Sequence, residues 1–273
     1  MVMKAYYSNN NQLFLLFILL LTTFTLVSCE SGKQNLQVSA AASMSEAVTQ
    51  LSEAYETRNP DIQVKIHTAA SGTIASQIIR GAPVDIFISA SQYHMQRVFE
   101  SGHTDGHAPI VLCTNSLVLV YSANIAQKDL VALDDRTRKR SKLQHLRWSN
   151  IERIGMGNPD YVPAGRYAAQ LLKSEQLYSQ LQDKLVFAGS VRQALAWLEA
   201  GEVDAAFLYR TDAGLVPQLS IAAEWKIIDQ RPIEYPAAII RSEEHLSEEQ
   251  LNSKRTAAQD FSTFLDRIQQ LQF

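Results

Sequence analysis

Two successive runs of short apolar segments, each alternating with segments of helical period, constrain this chain more than any other feature of its sequence. Leu36–Ala41 reads as a strand, Ser45–Arg58 as a helix with Val48, Leu51 and Tyr55 at helical spacing, and Ile62–Thr68 as an alternating strand. A helix over Thr73–Arg80, a strand over Val84–Ser89 and a helix over Gln92–Glu100, ending before Gly102, complete the first set. After a strand at Ser116–Tyr121 and a polar, charged stretch from Gln127 to Asn150, the pattern starts again. Strand Ile154–Met156, helix Ala164–Leu172, strand Leu185–Phe187, helix Val191–Ala200 and strand Val203–Tyr209 form the second set. Strands at Trp225–Ile228 and Ala237–Ile240 and a helix from Ser247 to about Gln270 close the chain. Strands alternating with helices imply an α/β protein with mostly parallel sheets.

The N-terminal segment does not belong to that pattern. One cation, Lys4, precedes the apolar run Leu13–Val27 and then Ser28-Cys29, which reads as an export signal over residues 1–28. The run is too short for a membrane span, which needs about 20 apolar residues. Leu26-Val27-Ser28-Cys29 resembles a bacterial lipobox, which implies cleavage before Cys29 and a lipid on its thiol. Residues 29–35 are then a polar tether, and the fold begins near Leu36. Roughly 245 residues remain, enough for one large or two medium domains. The other cysteine, Cys113, lies in the apolar run Ile110–Cys113 and reads as a small buried thiol, so no disulfide framework is available.

Charge excludes some partners. Removing residues 1–28 takes away only Lys4 and moves the formal net charge from -3 to -4, too weak a bias for nucleic acid or an acidic surface. The run Asp134-Asp135-Arg136-Thr137-Arg138-Lys139-Arg140 interleaves acids with cations and reads as a solvated loop. Any recognition of charge must therefore be local.

Four loop-to-helix junctions are the candidate chemistry, because helix starts expose unpaired N–H groups and the positive end of the helix dipole. At Ala41-Ala42-Ser43-Met44-Ser45-Glu46, Ser43 and Glu46 have capping-box spacing; so do Ser190 and Gln193 in Gly189-Ser190-Val191-Arg192-Gln193. Ala70-Ser71-Gly72-Thr73 carries a glycine that lets backbone approach closely, and Val162-Pro163-Ala164-Gly165-Arg166 has a proline at the helix start. Each alone is ordinary capping. Two lie in each half of the chain, and helix starts at the carboxyl ends of strands face the crevice where open α/β sheets bind ligands. The arrangement suggests a ligand held between two lobes.

Enzymatic readings find less support. His103 and His107 with Asp105 between them could hint at a metal site, but Ser101–His107 reads as a loop and offers no matched fourth ligand. The serines near Gly72 and Gly189 lack a nucleophile-elbow sequence. No catalytic residue and no cofactor are expected.

In order along the chain, Ala40-Ala41-Ala42-Ser43, Ala70-Ser71-Gly72-Thr73, Gly81-Ala82-Pro83-Val84-Asp85-Ile86-Phe87-Ile88-Ser89-Ala90, Asn115-Ser116-Leu117-Val118, Gly157-Asn158-Pro159-Asp160-Tyr161-Val162-Pro163-Ala164-Gly165 and Ile233-Glu234-Tyr235-Pro236 resemble the periplasmic molybdate-binding protein family of ABC uptake systems. The resemblance runs from Leu36 to Phe273. It implies the two-lobed, type II periplasmic-binding-protein fold, with residues 36–115 and 232–273 in lobe I, 116–231 in lobe II and the ligand cleft between. It also implies that the hydroxyls of Ser43 and Ser71, the backbone N–H groups of Ala164 and Val191 and the Tyr209 hydroxyl hold molybdate or tungstate. Molybdenum would enter only as the centre of that oxyanion. Read from the residues alone, Tyr209 is a half-buried strand aromatic, and the serines and helix starts would serve sulfate as well. The implied partners are an ABC permease with its ATPase and, through Cys29, a bacterial membrane; the implied protein is an extracytoplasmic monomer that binds no nucleic acid. The chain departs from the family pattern at Gly72, where many relatives carry a serine, and at Arg210, a cation where smaller residues are common.

Overall fold

The computed structural model describes residues 33–123, 125, 143, 146, 148–228, 230–241 and 248–272. The export segment, Cys29 and the charged run around Arg136 lie outside the described residues. Two mixed sheets carry the fold. The first contains β1 (Gln34–Ala41), β2 (Ile62–Ala69), β3 (Ile86–Ile88), β4 (Ile110–Asn115), β10 (Ile227–Ile228) and β11 (Arg231–Ile239). Its order is β10-β11-β3-β1-β2, with β4 also on β11; β1 runs parallel to β2 and β3, and β11 is antiparallel to β3, β4 and β10. The second contains β5 (Leu117–Tyr121), β6 (Ile154–Gly157), β7 (Leu185–Ala188), β8 (Ala205–Tyr209) and β9 (Ser220–Trp225) in the order β7-β6-β8-β5-β9. There β6 is parallel to β7 and β8, and β5 is antiparallel to β8 and β9.

The helices follow from local pattern and stop where it fails. Helix α1 (Ser45–Arg58) buries Val48, Ser52 and Tyr55 and ends at Asn59, which precedes Pro60 and cannot comfortably stay helical. Helix α2 (Ser71–Ile79) buries Ile74, Ala75 and Ile78, then turns out through Gly81 at φ 84°, a left-handed conformation that suits glycine. Helices α3 (Gln92–Glu100), α4 (Pro163–Ser174), α5 (Tyr178–Leu181), α6 (Val191–Glu199), α7 (Arg210–Ala213) and α8 (Glu248–Gln272) complete the set. Helix α8 docks by Phe261 edge-on to Tyr55, with ring centroids 4.9 Å apart, and by Lys254 Nζ 3.2 Å from the buried Asp85 carboxylate.

Three expectations from sequence are corrected. The single strand expected at Trp225–Ile228 is two: β9 ends at Trp225 in the second sheet, and β10 pairs with β11 in the first. Ile110–Asn115 is a strand in its own right, and its Cys113 is half-buried against the core rather than enclosed; burial still pushes that thiol up to about 11. Ser43 does not cap α1. It lies in a 3-10 turn, Ala42–Met44, ahead of a helix whose first turn shows no side-chain cap.

The tightest backbone contact sets how closely α4 approaches its sheet. A Cβ on Gly165 would stand 1.8 Å from the Gly157 carbonyl oxygen, and one on Gly157 would stand 2.2 Å from a Val162 methyl. Side chains cannot occupy either position without moving the helix start off β6. Gly165→Ala is therefore expected to destabilise the fold by about 3 kcal/mol, the upper range for overpacking. Denaturant unfolding checks this; a loss below about 1 kcal/mol would contradict the packing described.

Candidate functional site

Helices α1, α2, α4 and α6 follow the carboxyl ends of β1, β2, β6 and β7, two neighbouring parallel strands in each sheet. Their starts converge. Ser43, Ser71, Ala164, Val191 and Tyr209 all line one small cavity, together with Ala90, Val162, Pro163, Ser190 and the alanines at the β1 and β2 ends. All five are buried, Ser71 and Ala164 completely. Among the described residues, no charged side chain lines this cavity.

Donors dominate its wall. Ala164 and Val191 sit in the first turns of α4 and α6, where backbone N–H groups have no acceptor within the helix. The Ser71 hydroxyl oxygen accepts the Ala90 N–H at 3.0 Å, which leaves its own proton free to face the cavity. Ser43 Oγ lies 3.1 Å from the Tyr235 hydroxyl, and Asn115 Nδ2 donates to the same phenol at 2.9 Å. The Tyr209 hydroxyl donates to the Ala90 carbonyl at 3.2 Å. Burial pushes both Tyr209 and Tyr235 well above the ordinary phenol range, so each is a neutral hydroxyl at any physiological pH.

Of the two expected capping boxes, one forms. Ser190 Oγ accepts the Gln193 N–H at 3.1 Å, and Gln193 Oε1 accepts the Gly189 N–H at 2.6 Å. At the other, Ser43 turns to Tyr235 and Glu46 turns across to Arg192, whose Nη1 donates to Glu46 Oε1 at 2.9 Å and whose Nη2 also meets the carboxylate. The partners that would cap each other are recruited by more distant groups. Arg192 also lies with Nε 2.7 Å from Asp212 Oδ1, at an angle that makes the contact ionic rather than an aligned hydrogen bond. One guanidinium thus joins the first turn of α1 to α7 and α6. Gly72 closes the same seam: its N–H donates to the Tyr161 carbonyl at 2.9 Å, so that donor does not face the cavity. A Cβ at Gly72 would meet Tyr161 backbone at 2.6 Å, which is why a serine does not fit here.

Other sequence candidates fall away from the cavity. Arg210 is half-exposed and points to Glu224, 4.0 Å away. His107 pairs with Asp105 at 2.9 Å and His103 with Ser101 at 2.8 Å; among the described residues no three His, Cys, Asp or Glu side chains gather as metal ligands. Tyr235, Asn115 and Arg192 stood inside motifs without a local signal for a role, because decisive contacts join distant parts of the sequence, 120 residues apart for Asn115 and Tyr235 and 146 for Arg192 and Glu46.

Residues 36–269 match the model of the family described as bacterial extracellular solute-binding protein. The chain is 32% identical over 85% of its length, and 88% of the relative's, to YvgL of Bacillus subtilis, provisionally named an ABC transporter substrate-binding lipoprotein. It is likewise 32% identical to the molybdate-binding protein ModA of Haemophilus influenzae, over 79% of this chain and 82% of that one. Among solved structures, the substrate-binding domain of a provisionally assigned molybdenum ABC transporter from Clostridium difficile is similar at 31% identity, with a TM-score of 0.57, covering 86% of this chain and 93% of that one.

The buried Asp212 generates a pH dependence. Burial raises its carboxyl from 3.8 to about 6; Arg192 opposes the rise and Glu46 adds to it. A folded-state value above the unfolded one means the folded form favours the proton, so this contribution to stability is present below about pH 4 and is lost as pH rises through about 6. Asp212→Asn mimics the protonated side chain. Relative to the wild type, the variant is expected to gain about 2 kcal/mol between pH 4 and pH 7. Unfolding profiles that stay parallel across that range would contradict it.

Proposed function

The chain belongs to the bacterial extracellular solute-binding protein family, and on that premise we propose that it captures molybdate, and tungstate with it, for delivery to an ABC permease and its ATPase. The observation that carries the reading is the meeting of Ser43, Ser71, Ala164, Val191 and Tyr209 at one buried cavity without a charged wall. In this reading residues 36–115 and 232–273 form one lobe and 116–231 the other, the ligand lies between them, and Cys29 carries the lipid that holds the protein on the outer side of a bacterial membrane. The role is transport. It involves no catalytic step and no cofactor, and molybdenum enters only as the centre of the bound oxyanion.

The physics of such a site is a dianion moved from water onto fixed donors. Three hydroxyls and two first-turn N–H groups supply five charge-assisted hydrogen bonds, each worth about 1.5–3 kcal/mol net, and the aligned helix starts supply partial positive charge. Together they offset the loss of hydration and the cost of ordering two lobes. Tyr209 contributes only if the ligand draws its proton from the Ala90 carbonyl, so it is a conditional donor and Ser71 a ready one. A wall of donors leaves the O–H of monoprotonated phosphate facing another donor and rejects it. Sulfate has the same charge but is smaller, and donors fixed by helix starts cannot all reach it at good geometry.

The test is calorimetric titration of ligand-stripped protein with molybdate, tungstate, sulfate and phosphate at one pH and salt concentration. Tight binding of the first two and silence from the others is the expected result, with Ser43→Ala and Ser71→Ala each weakening molybdate by at least about 1 kcal/mol. Sulfate binding as tightly as molybdate would replace the ligand. Unchanged affinity in both serine variants would move the site elsewhere.

A further inference from the structure

A serine hydroxyl accepts as readily as it donates, so two serines do not by themselves make a donor-only anion site. For Ser71 the direction is fixed by the Ala90 N–H behind it. Ser43 has a phenol behind it instead, and in the pair Ser43 Oγ–Tyr235 Oη either oxygen could donate.

Asn115 breaks that symmetry. The Ser116 N–H, which can only donate, points at Asn115 Oδ1 at 2.8 Å and so fixes which way the carboxamide faces. Its Nδ2 is thereby turned to Tyr235 Oη at 2.9 Å and to Thr211 Oγ1 at 3.0 Å. With an N–H entering the phenol oxygen from one side, one of its acceptor positions is filled, which favours the phenol proton pointing outward to Ser43. Accepting there leaves the Ser43 proton free for the cavity. The neighbouring phenol, Tyr209, gives its proton to the Ala90 carbonyl and also hydrogen-bonds Tyr235.

We propose that Asn115 and Tyr235 are positioning residues that set the direction of the chain Ser116 N–H to Asn115 to Tyr235 to Ser43, and so turn the Ser43 proton to the bound oxyanion. The proposal rests on the oxyanion reading of the cavity and deepens it. It assigns specificity to two residues outside the cavity wall. A Ser43 that donated to Tyr235 would present only lone pairs to the cavity and welcome the O–H of monoprotonated phosphate, whereas one that accepts from Tyr235 turns its proton to the ligand. The backbone supports the placement. Asn115 is the last residue of β4, just before the chain passes to β5 in the other sheet, and the register of β11 against β4 shifts between Tyr235 and Pro236. Such irregularities re-aim side chains beside functional sites.

A double-mutant cycle on the full chain tests this, with calorimetric affinities for molybdate and for phosphate near neutral pH. Tyr235→Phe is expected to weaken molybdate about tenfold and to narrow the molybdate-over-phosphate preference when Ser43 is present. In the Ser43→Ala background the same change should cost less than about twofold, because the residue through which it acts is gone. Asn115→Ala should give a smaller loss with the same dependence on Ser43, and it carries the comparison if Tyr235→Phe fails to fold. Equal losses in both backgrounds, or an unchanged preference against phosphate, would overturn the proposal while leaving the oxyanion site standing. A wild type that binds no molybdate would overturn both.

Discussion

The starts of helices from two sheets, brought to one point so that the first turns of α4 and α6 and the serines ahead of α1 and at the start of α2 meet, are the condition on which the rest of this structure depends. A helix start needs an acceptor or water, and parallel β-α units deliver it to the carboxyl end of the sheet. Here two such ends face each other, with Ser43 and Ser71 from one and Ala164 and Val191 from the other. The cavity between them is rich in donors because of topology, before any side chain is chosen. Alanines at Ala41, Ala42, Ala69, Ala70 and Ala90 then keep the wall short enough for backbone to reach inward.

Close approach has its own requirements, and they explain residues that carry no chemistry. Gly157 and Gly165 let the start of α4 lie against β6, and Gly72 lets α2 meet the Tyr161 backbone. Arg192, next to Val191 in the chain, is directed to Glu46 and Asp212 rather than to the cavity. A neutral wall therefore coexists with a charged clamp one residue beyond Val191. The division matters because a cation in the wall would hold any anion, whereas directed donors discriminate by shape and protonation.

Most of the elements were legible in the sequence because hydrophobic period is a local signal. Ser45–Arg58 and Gln92–Glu100 form the helices that their spacing predicts. The five residues implied by family resemblance lie together at one cavity. What the sequence hid was nonlocal. Lys226 looks like part of one strand, yet it separates strands of different sheets, and only pairing partners distinguish the two. Ser43 and Glu46 have the spacing of a capping box, but a phenol 192 residues away and a guanidinium 146 residues away compete for them and win. Tyr235 and Asn115 lay within blocks that resemble the family, yet nothing in their immediate neighbours announces the chain of hydrogen bonds they form.

A fully ionised oxyanion held by the proposed site on neutral donors alone requires no group in the wall to gain or lose a proton. Counting protons on molybdate binding tests it most directly, by calorimetry in two buffers of different ionisation enthalpy at about pH 8, well above the range in which Asp212 titrates. The expected result is a binding enthalpy that does not depend on the buffer, and so no net proton exchanged. Uptake of close to one proton per bound molybdate would contradict it, because the site would then have to supply an acceptor that a wall of donors does not contain.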